Sequence, residues 1–261
     1  MKISLMNSLN QTVDLTADEK IYQVLSVDGL DPVKGQIYMD TIAGSDGSIF
    51  TGARVNNRNI VINLKINGDC DTNRQNLFTK FPVKEWVRVT VTTGKTAFII
   101  GYVESISCNI FDINQTVQIS ILCPDPYFRG NTITISGVSI PGSNKEFSFS
   151  GTNPGDVEAF PVLYFAYQGT MTSLSISAYP NDASLEFTYS ATDPDIQINT
   201  QNKTAFNAGE TPTADMIPYM ELGSVFPIVK KGNFAITATF IGSDFDNPNC
   251  FLSYNPRYGG M

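Results

Sequence analysis

The 261-residue chain contains no histidine. That absence removes Ser-His-Asp and Cys-His hydrolysis, His-ligated zinc and the usual neutral-pH acid–base group. Cysteine is scarce: Cys70, Cys108, Cys123 and Cys250 show no CxxC spacing, so buried free thiols are expected rather than a disulfide framework. Long apolar runs are also missing. The most apolar stretch, residues 97–103, is far short of the ~20 residues a membrane span needs. Residues 1–20 are broken by Asn, Gln, Asp and Ser before any apolar run develops, which reads as a protein without a secretory leader, made in a reducing cytoplasm. Charged residues are only 16% of the chain and sum to −8. Residues 1–129 carry 12 Lys/Arg against 13 Asp/Glu, whereas residues 130–261 carry 5 against 12. This asymmetry favours two modules, and the acidic balance argues against nucleic-acid or anionic-membrane binding.

What the chain has in quantity is period-2 alternation. Ile60, Ile62, Leu64 and Ile66 share one face of a strand over 59–67, and Val87, Val89 and Val91 share one face of Trp86–Thr92. Thr93 and Gly94 turn that strand into another over 97–104, and residues 116–122 complete the set. Asp28 and Gly29 supply a turn after a strand at 24–29. One helix interrupts, with Asp71 as the expected N-cap and Leu77, Phe78 and Phe81 on one face before Pro82 stops it. The C-terminal half continues with strands at 132–136, 146–150, 161–167, 173–178, 184–189, 234–240 and 250–254, and a weaker strand and turn at 197–207. The expected fold class is mainly β: two β-sandwich domains, the first with a single short helix, the second galectin- or jelly-roll-like.

Residues 35–55 differ from this rhythm. Gly44, Ser45, Asp46, Gly47 and Ser48 form a flexible tip between arms carrying Ile37, Met39, Ile49 and Phe50. A long loop inside a compact domain is uncommon unless functional. It is either a partly ordered hairpin of its own subunit or an arm that packs on a neighbour. Arg54 and Arg58 lie at its foot, as solvated charges or as inter-subunit contacts.

Candidate chemistry is thin. Glu186 with Asp193 or Asp195, and Glu104 with Asp112, are the carboxylate pairs that glycosidic hydrolysis would need, and Asp193 with Asp195 could equally ligate calcium. Sequence spacing does not show whether either pair converges, and a solvated turn between strands is the expected reading. Gly94, Lys95 and Thr96 imitate the end of a phosphate-binding loop, but Val89 stands where that motif needs glycine. No catalytic residue, metal or cofactor is assigned.

The most informative run is Cys123, Pro124, Asp125, Pro126, Tyr127 and Phe128. Two prolines one residue apart end a strand, and Cys123 and Asp125, each before a proline, should leave the sheet in a stiff, non-helical exit. The run divides the chain into domains at 1–128, with the 35–55 arm, and 129–261. It resembles the hinge of the distal tail proteins of bacteriophages. Three other stretches are similar to that family: residues 27–30 followed by 44–50 and Arg58; residues 101–106; and Asn153, Gly155, Asp156, Glu158, Ala159 and Pro161, which match its Asn-x-Gly-Asp-x-Glu-Ala-x-Pro pattern. The end of the chain, residues 253–258, is similar too. The resemblance implies a structural protein of the virion tail, at its distal end or baseplate. It implies a ring, typically a hexamer, built by the N-terminal domain and threaded by neighbours' belts, which here would be residues 35–55. The tail tube would stack on that ring, a tail-associated hub or lysin would dock beneath it, and receptor-binding or peripheral baseplate proteins would sit outside. The alternative from the residues alone is a carbohydrate-binding, lectin-like module using Tyr164, Tyr167, Tyr179 and Tyr189.

Overall fold

The computed structural model describes residues 1–16, 21–112, 114–140, 145–210 and 213–261. Packing divides the chain into two compact units, Met1–Arg129 with Tyr258–Met261, and Gly130–Arg257. The last four residues, expected in the second module, therefore belong to the first. Both units are antiparallel β structures.

In the first unit the elements are β1 (Lys2–Asn7), β2 (Thr12–Asp14), β3 (Tyr22–Asp28), β4 (Gly35–Asp40), β5 (Ile49–Val55), β6 (Arg58–Ile66), α1 (Cys70–Lys80), β7 (Trp86–Thr92), β8 (Thr96–Cys108), β9 (Thr116–Cys123) and β10 (Phe128–Arg129). The main sheet runs β2-β1-β7-β8-β9-β6-β3, with β10 and the closing strand Arg257–Tyr258 attached beside it. Alternation buries one face: Ile60, Ile62 and Leu64 of β6, Val87, Val89 and Val91 of β7, and Ile119 and Ile121 of β9. The helix lies over this core. Its cap is Asp69, two residues earlier than the expected Asp71. The Asp69 carboxylate accepts the Thr72 N–H at 3.2 Å and the Thr72 hydroxyl at 2.7 Å, while Asp71 pairs with Arg74 at 2.7 Å. An 11-residue helix is marginal alone, so tertiary packing must hold it. Leu77 and, just past the last turn, Phe81 are fully buried, and each such burial contributes roughly 1.5–3 kcal/mol.

The second unit contains β11 (Ile133–Ser136), β12 (Val138–Ser139), β13 (Glu146–Asn153), β14 (Val162–Tyr179), β15 (Ala183–Phe187), β16 (Ala191–Thr192), β17 (Asp195–Asn199), β18 (Thr204–Asn207), β19 (Ala214–Asp215) and β20 (Gly232–Tyr254). The path is β12-β13-β20-β14-β17-β18-β19, with β11 on β20 and β15 and β16 on β14. Strands expected separately at 161–167 and 173–178 are one strand, β14. The same holds for 234–240 and 250–254, which are the ends of β20. Register shifts between Ala166 and Gln168, Gln168 and Thr170, and Met171 and Ser173 let β14 bend without ending. The weak strand expected at 197–207 is a hairpin of β17 and β18.

The core of this unit centres on Phe240, whose ring meets Phe165 at 5.2 Å, Tyr167 at 5.4 Å and Phe147 at 6.2 Å, all edge-on. The 153–161 motif has a local reason. Buried Asn153 accepts the Gly155 N–H at 2.9 Å and donates to the carbonyls of Val157 and Val229 at 3.2 and 3.3 Å. A Cβ on Gly155 would stand 2.7 Å from the Arg257 carbonyl oxygen. Asparagine and glycine are thus what this loop admits.

Candidate functional site

Strands β4 and β5 form a two-stranded sheet of their own, separate from both main sheets. Paired residues share a face, so the register puts Ile37 with Ala53 and Met39 with Phe50 on one side, and Gln36 with Arg54 and Tyr38 with Gly52 on the other. Phe50 and Ala53 are three residues apart and would oppose each other in a regular strand. The register shift between Tyr38 and Met39 brings both to one side. The result is an amphipathic ribbon. On the first side Ile37, Met39 and Phe50 are exposed by 52%, 61% and 62%; Ile49, 52% exposed, pairs with Asp40 and lies on the other side, which corrects its expected grouping with them. On the opposite side Arg54 donates to the Gln36 side-chain amide oxygen Oε1 at 3.4 Å and lies 5.8 Å from the Tyr38 ring centre. A two-stranded ribbon alone in water is marginally stable.

The root of the ribbon is built differently. Arg58 opens β6 two residues before Ile60, in phase with the buried positions, and is 7% exposed. It is therefore an internal clamp rather than a solvated charge. Its guanidinium donates to the carbonyls of Pro126 at 2.7 Å, Asp31 at 2.8 Å, Gly259 at 2.5 Å, and Gly29. It also lies 4.9 Å from the centre of the buried Phe128 ring. Burial pushes its pKa below the ordinary arginine value, with Cys123, Asp31 and Tyr127 acting in the opposite direction. The fork geometry of guanidinium suits several fixed acceptors at once. Three chain segments meet there: the exit of β3, the double-proline run and the C-terminal tail. Gly29 must be glycine, because its φ is +87° and a Cβ would collide with the Asn59 carbonyl. The tail is further fixed by the Val33 N–H to Gly259 at 3.1 Å and the Met261 N–H to Leu30 at 2.9 Å. A pocket of about 310 Å³ lies against this root, lined by residues including Pro32, Lys34, Asn56 and Asn57.

The double-proline run closes β9. Cys123 stays in the ladder opposite Arg58, contrary to the expected early exit, and the bend starts at Pro124. Asp125 accepts the Tyr127 N–H at 3.2 Å and pairs with Arg129 at 2.9 Å, which steers Phe128 into the core of the first unit. The chain leaves this unit after Arg129, just past the run itself. Burial drives the Cys123 thiol up to about 12, Arg58 opposing and Asp125 reinforcing the shift, so the sulfur is an inert packing group. Gly101 makes room for it: a Cβ there would meet the Cys123 sulfur at 2.7 Å.

The candidate carboxylates are occupied with local structure. Glu104 accepts from the Ser120 hydroxyl at 2.8 Å, Asp112 caps the Asn114 N–H at 3.1 Å, Asp193 accepts the Gly169 N–H at 2.8 Å, and Glu186 bonds the Ser184 hydroxyl at 2.8 Å. Among the described residues no three His, Cys, Asp or Glu side chains gather as a metal cluster. Gly94, Lys95 and Thr96 belong to the β7–β8 hairpin, where Lys95 stacks 3.7 Å from the Tyr258 ring centre. All four cysteines are free thiols. No described helix is long and apolar enough to cross a membrane.

The two-unit antiparallel β chain shares its fold with solved phage hub and baseplate chains. Over 98% of both chains it superposes on SPP1 Dit, described as a paradigm of the hub adsorption apparatus in phages infecting Gram-positive bacteria, with TM-score 0.73 at 17% identity. Chains from the phage p2 baseplate in its activated conformation, solved with Sr and with Ca, superpose over 97% of both chains at TM-score 0.50, with 13% and 12% identity. Neither a family model nor a curated protein matches the sequence. At these identities the likeness is one of fold.

Proposed function

We propose that the protein is a structural component of a phage tail tip or baseplate, a distal tail protein whose copies close into a ring at the distal end of the virion tail. The ribbon formed by β4 and β5 carries this reading. Its apolar side has no cover from either main sheet, and the ring needs a contact that is head-to-tail and closes by rotation. Packed on the next copy, the ribbon acts as a belt and extends the contact of a modest domain toward the ~1,600 Å² of a standard stable interface. Ile37, Met39 and Phe50 face the neighbour, and Arg54 stiffens the outer side, where Ile49 also lies. Arg58 and the run Cys123, Pro124, Asp125, Pro126, Tyr127 and Phe128 fix the belt's root and the domain exit rather than touching the partner.

The tail tube stacks on this ring, a tail-associated hub or lysin docks on its other side, and receptor-binding or peripheral proteins attach outside. The near-neutral first half suits self-association, and the acidic second half suits a hydrated outer position. Six copies is the number that the resemblance to the distal tail family implies. The test is negative-stain microscopy of the purified chain, alone and mixed with its phage's tail tube protein. Closed rings capping tubes are expected. Single particles without annular averages under both conditions would overturn the proposal.

A further inference from the structure

Of the four tyrosines the sequence nominates for sugar contact, three are committed elsewhere. Tyr167 and Tyr189 are buried, and Tyr164 stacks on Phe251 at 4.6 Å. Tyr179 alone among them stands out from its sheet, 66% exposed at the end of β14. The residue opposite it on β20 is Ala235, whose small side chain leaves a trench beside the ring. That trench is a pocket of about 290 Å³ lined by Tyr179, Asp182, Ser184, Ser177, Ala235 and Thr237. Register makes the hydroxyl groups a row: Ser184 pairs with Ser177, Ser177 with Thr237, and Thr237 with Ser148, across β15, β14, β20 and β13. Neighbouring strands are ~4.8 Å apart, so hydroxyls recur across roughly 14 Å. The next row is bounded by carboxylates, with Glu186 opposite Ser175 and Glu146 opposite Thr239.

We propose that this outward face holds a sugar subsite, in which a pyranose ring lies on Tyr179 and its hydroxyls bond the Ser177, Ser184, Thr237 and Asp182 side chains. Each part answers to the ligand's chemistry. An aromatic face takes the apolar C–H side of a sugar ring, hydroxyls donate and accept, and a carboxylate accepts two sugar hydroxyls. The volume is at the small end for ligand pockets, ~300 Å³, which suits one ring of a longer chain rather than an enclosed drug-like molecule. Asp182, Glu186 and Glu146 select against phosphate-bearing polymers and for neutral sugars. The subsite needs only the second unit's own residues, so it stands or falls independently of ring formation.

The experiment is saturation-transfer NMR on the full chain with methyl glycosides of glucose, galactose, rhamnose and N-acetylglucosamine, and with glycerol phosphate as the anionic probe. Transfer to at least one neutral pyranoside is expected. Tyr179→Ala should lower that signal at least tenfold at unchanged melting temperature, while Tyr179→Trp retains it and Asp182→Asn weakens it. No transfer to any pyranoside, transfer to glycerol phosphate only, or an undiminished signal in Tyr179→Ala would each overturn the subsite.

Discussion

Replacing Arg58 by alanine removes the group on which three chain segments converge. Four backbone carbonyls, of Pro126, Gly29, Asp31 and Gly259, lose their donor together. A hydrogen bond to a charged group contributes about 1.5–3 kcal/mol, so a bare sum would reach ~6–12 kcal/mol. That sum is too large here. The neighbouring 310 Å³ pocket lets water reach part of the root, and the mutation also removes the cost of keeping a cation buried. We therefore expect a loss of about 3–5 kcal/mol in the first unit, a fall in melting temperature of roughly 10 °C. Arg58→Lys keeps the charge but presents three donors from one point instead of a planar fork, and should lose about half as much. The assay is urea unfolding followed by tryptophan fluorescence. Trp86 is the chain's single tryptophan and lies in β7, so the signal reads the first unit alone. An Arg58→Ala midpoint within about 1 kcal/mol of the parent, on the usual surface-substitution scale, would refute the clamp.

The second unit should respond separately: Phe240→Ala is expected to cost about 3–5 kcal/mol there by circular dichroism and leave the Trp86 transition in place. Ellman's reagent at pH 8 should titrate the half-buried Cys70 and Cys108 in the native protein, and Cys123 and Cys250, both pushed up to about 12 by burial, only after unfolding. Four fast native thiols would contradict that packing. Hydrogen bonds from Thr72 hold the Asp69 pKa below its ordinary value. A depressed folded pKa stabilises above the unfolded value, near 3.9, and that contribution disappears as pH falls through the folded one. The protection of α1 amides relative to intrinsic exchange should thus fall as pH drops below about 4, and Asp69→Asn should flatten the dependence.

Elements whose signal is local were legible. The alternation of Val87, Val89 and Val91 marks β7 at its observed bounds, and Pro82 stops the helix. Asp28 and Gly29 end β3 because the turn requires the positive φ that glycine supplies. The misreadings have long-range causes. Strand β14 continues through Gly169 because β20 pairs with it along its length, a partnership invisible in either segment. Asp69 and Asp71 both suit a cap, and the Thr72 contacts decide between them. Tyr258–Met261 has no periodicity to show where it packs. Arg58 did carry a usable signal: it shares the parity of Ile60, Ile62 and Leu64, so the alternation itself places its side chain inward. A charged residue in a buried phase marks a site of convergent acceptors, and here those acceptors come from residues up to 201 positions away.

The role proposed for the ribbon rests on a contact between copies, so particle mass is its most direct measure. Ile37, Met39 and Phe50 are each exposed by more than half, and covering them should contribute about 1–2 kcal/mol apiece. Changing Ile37 and Phe50 together to aspartate should weaken association by two or more orders of magnitude. By mass photometry, the parent chain should run as a closed multiple of its 28.6 kDa, and the double variant as a folded 28.6 kDa particle. A double variant that keeps the parent's ring mass, or a parent that stays at single-copy mass at every concentration, would contradict the account.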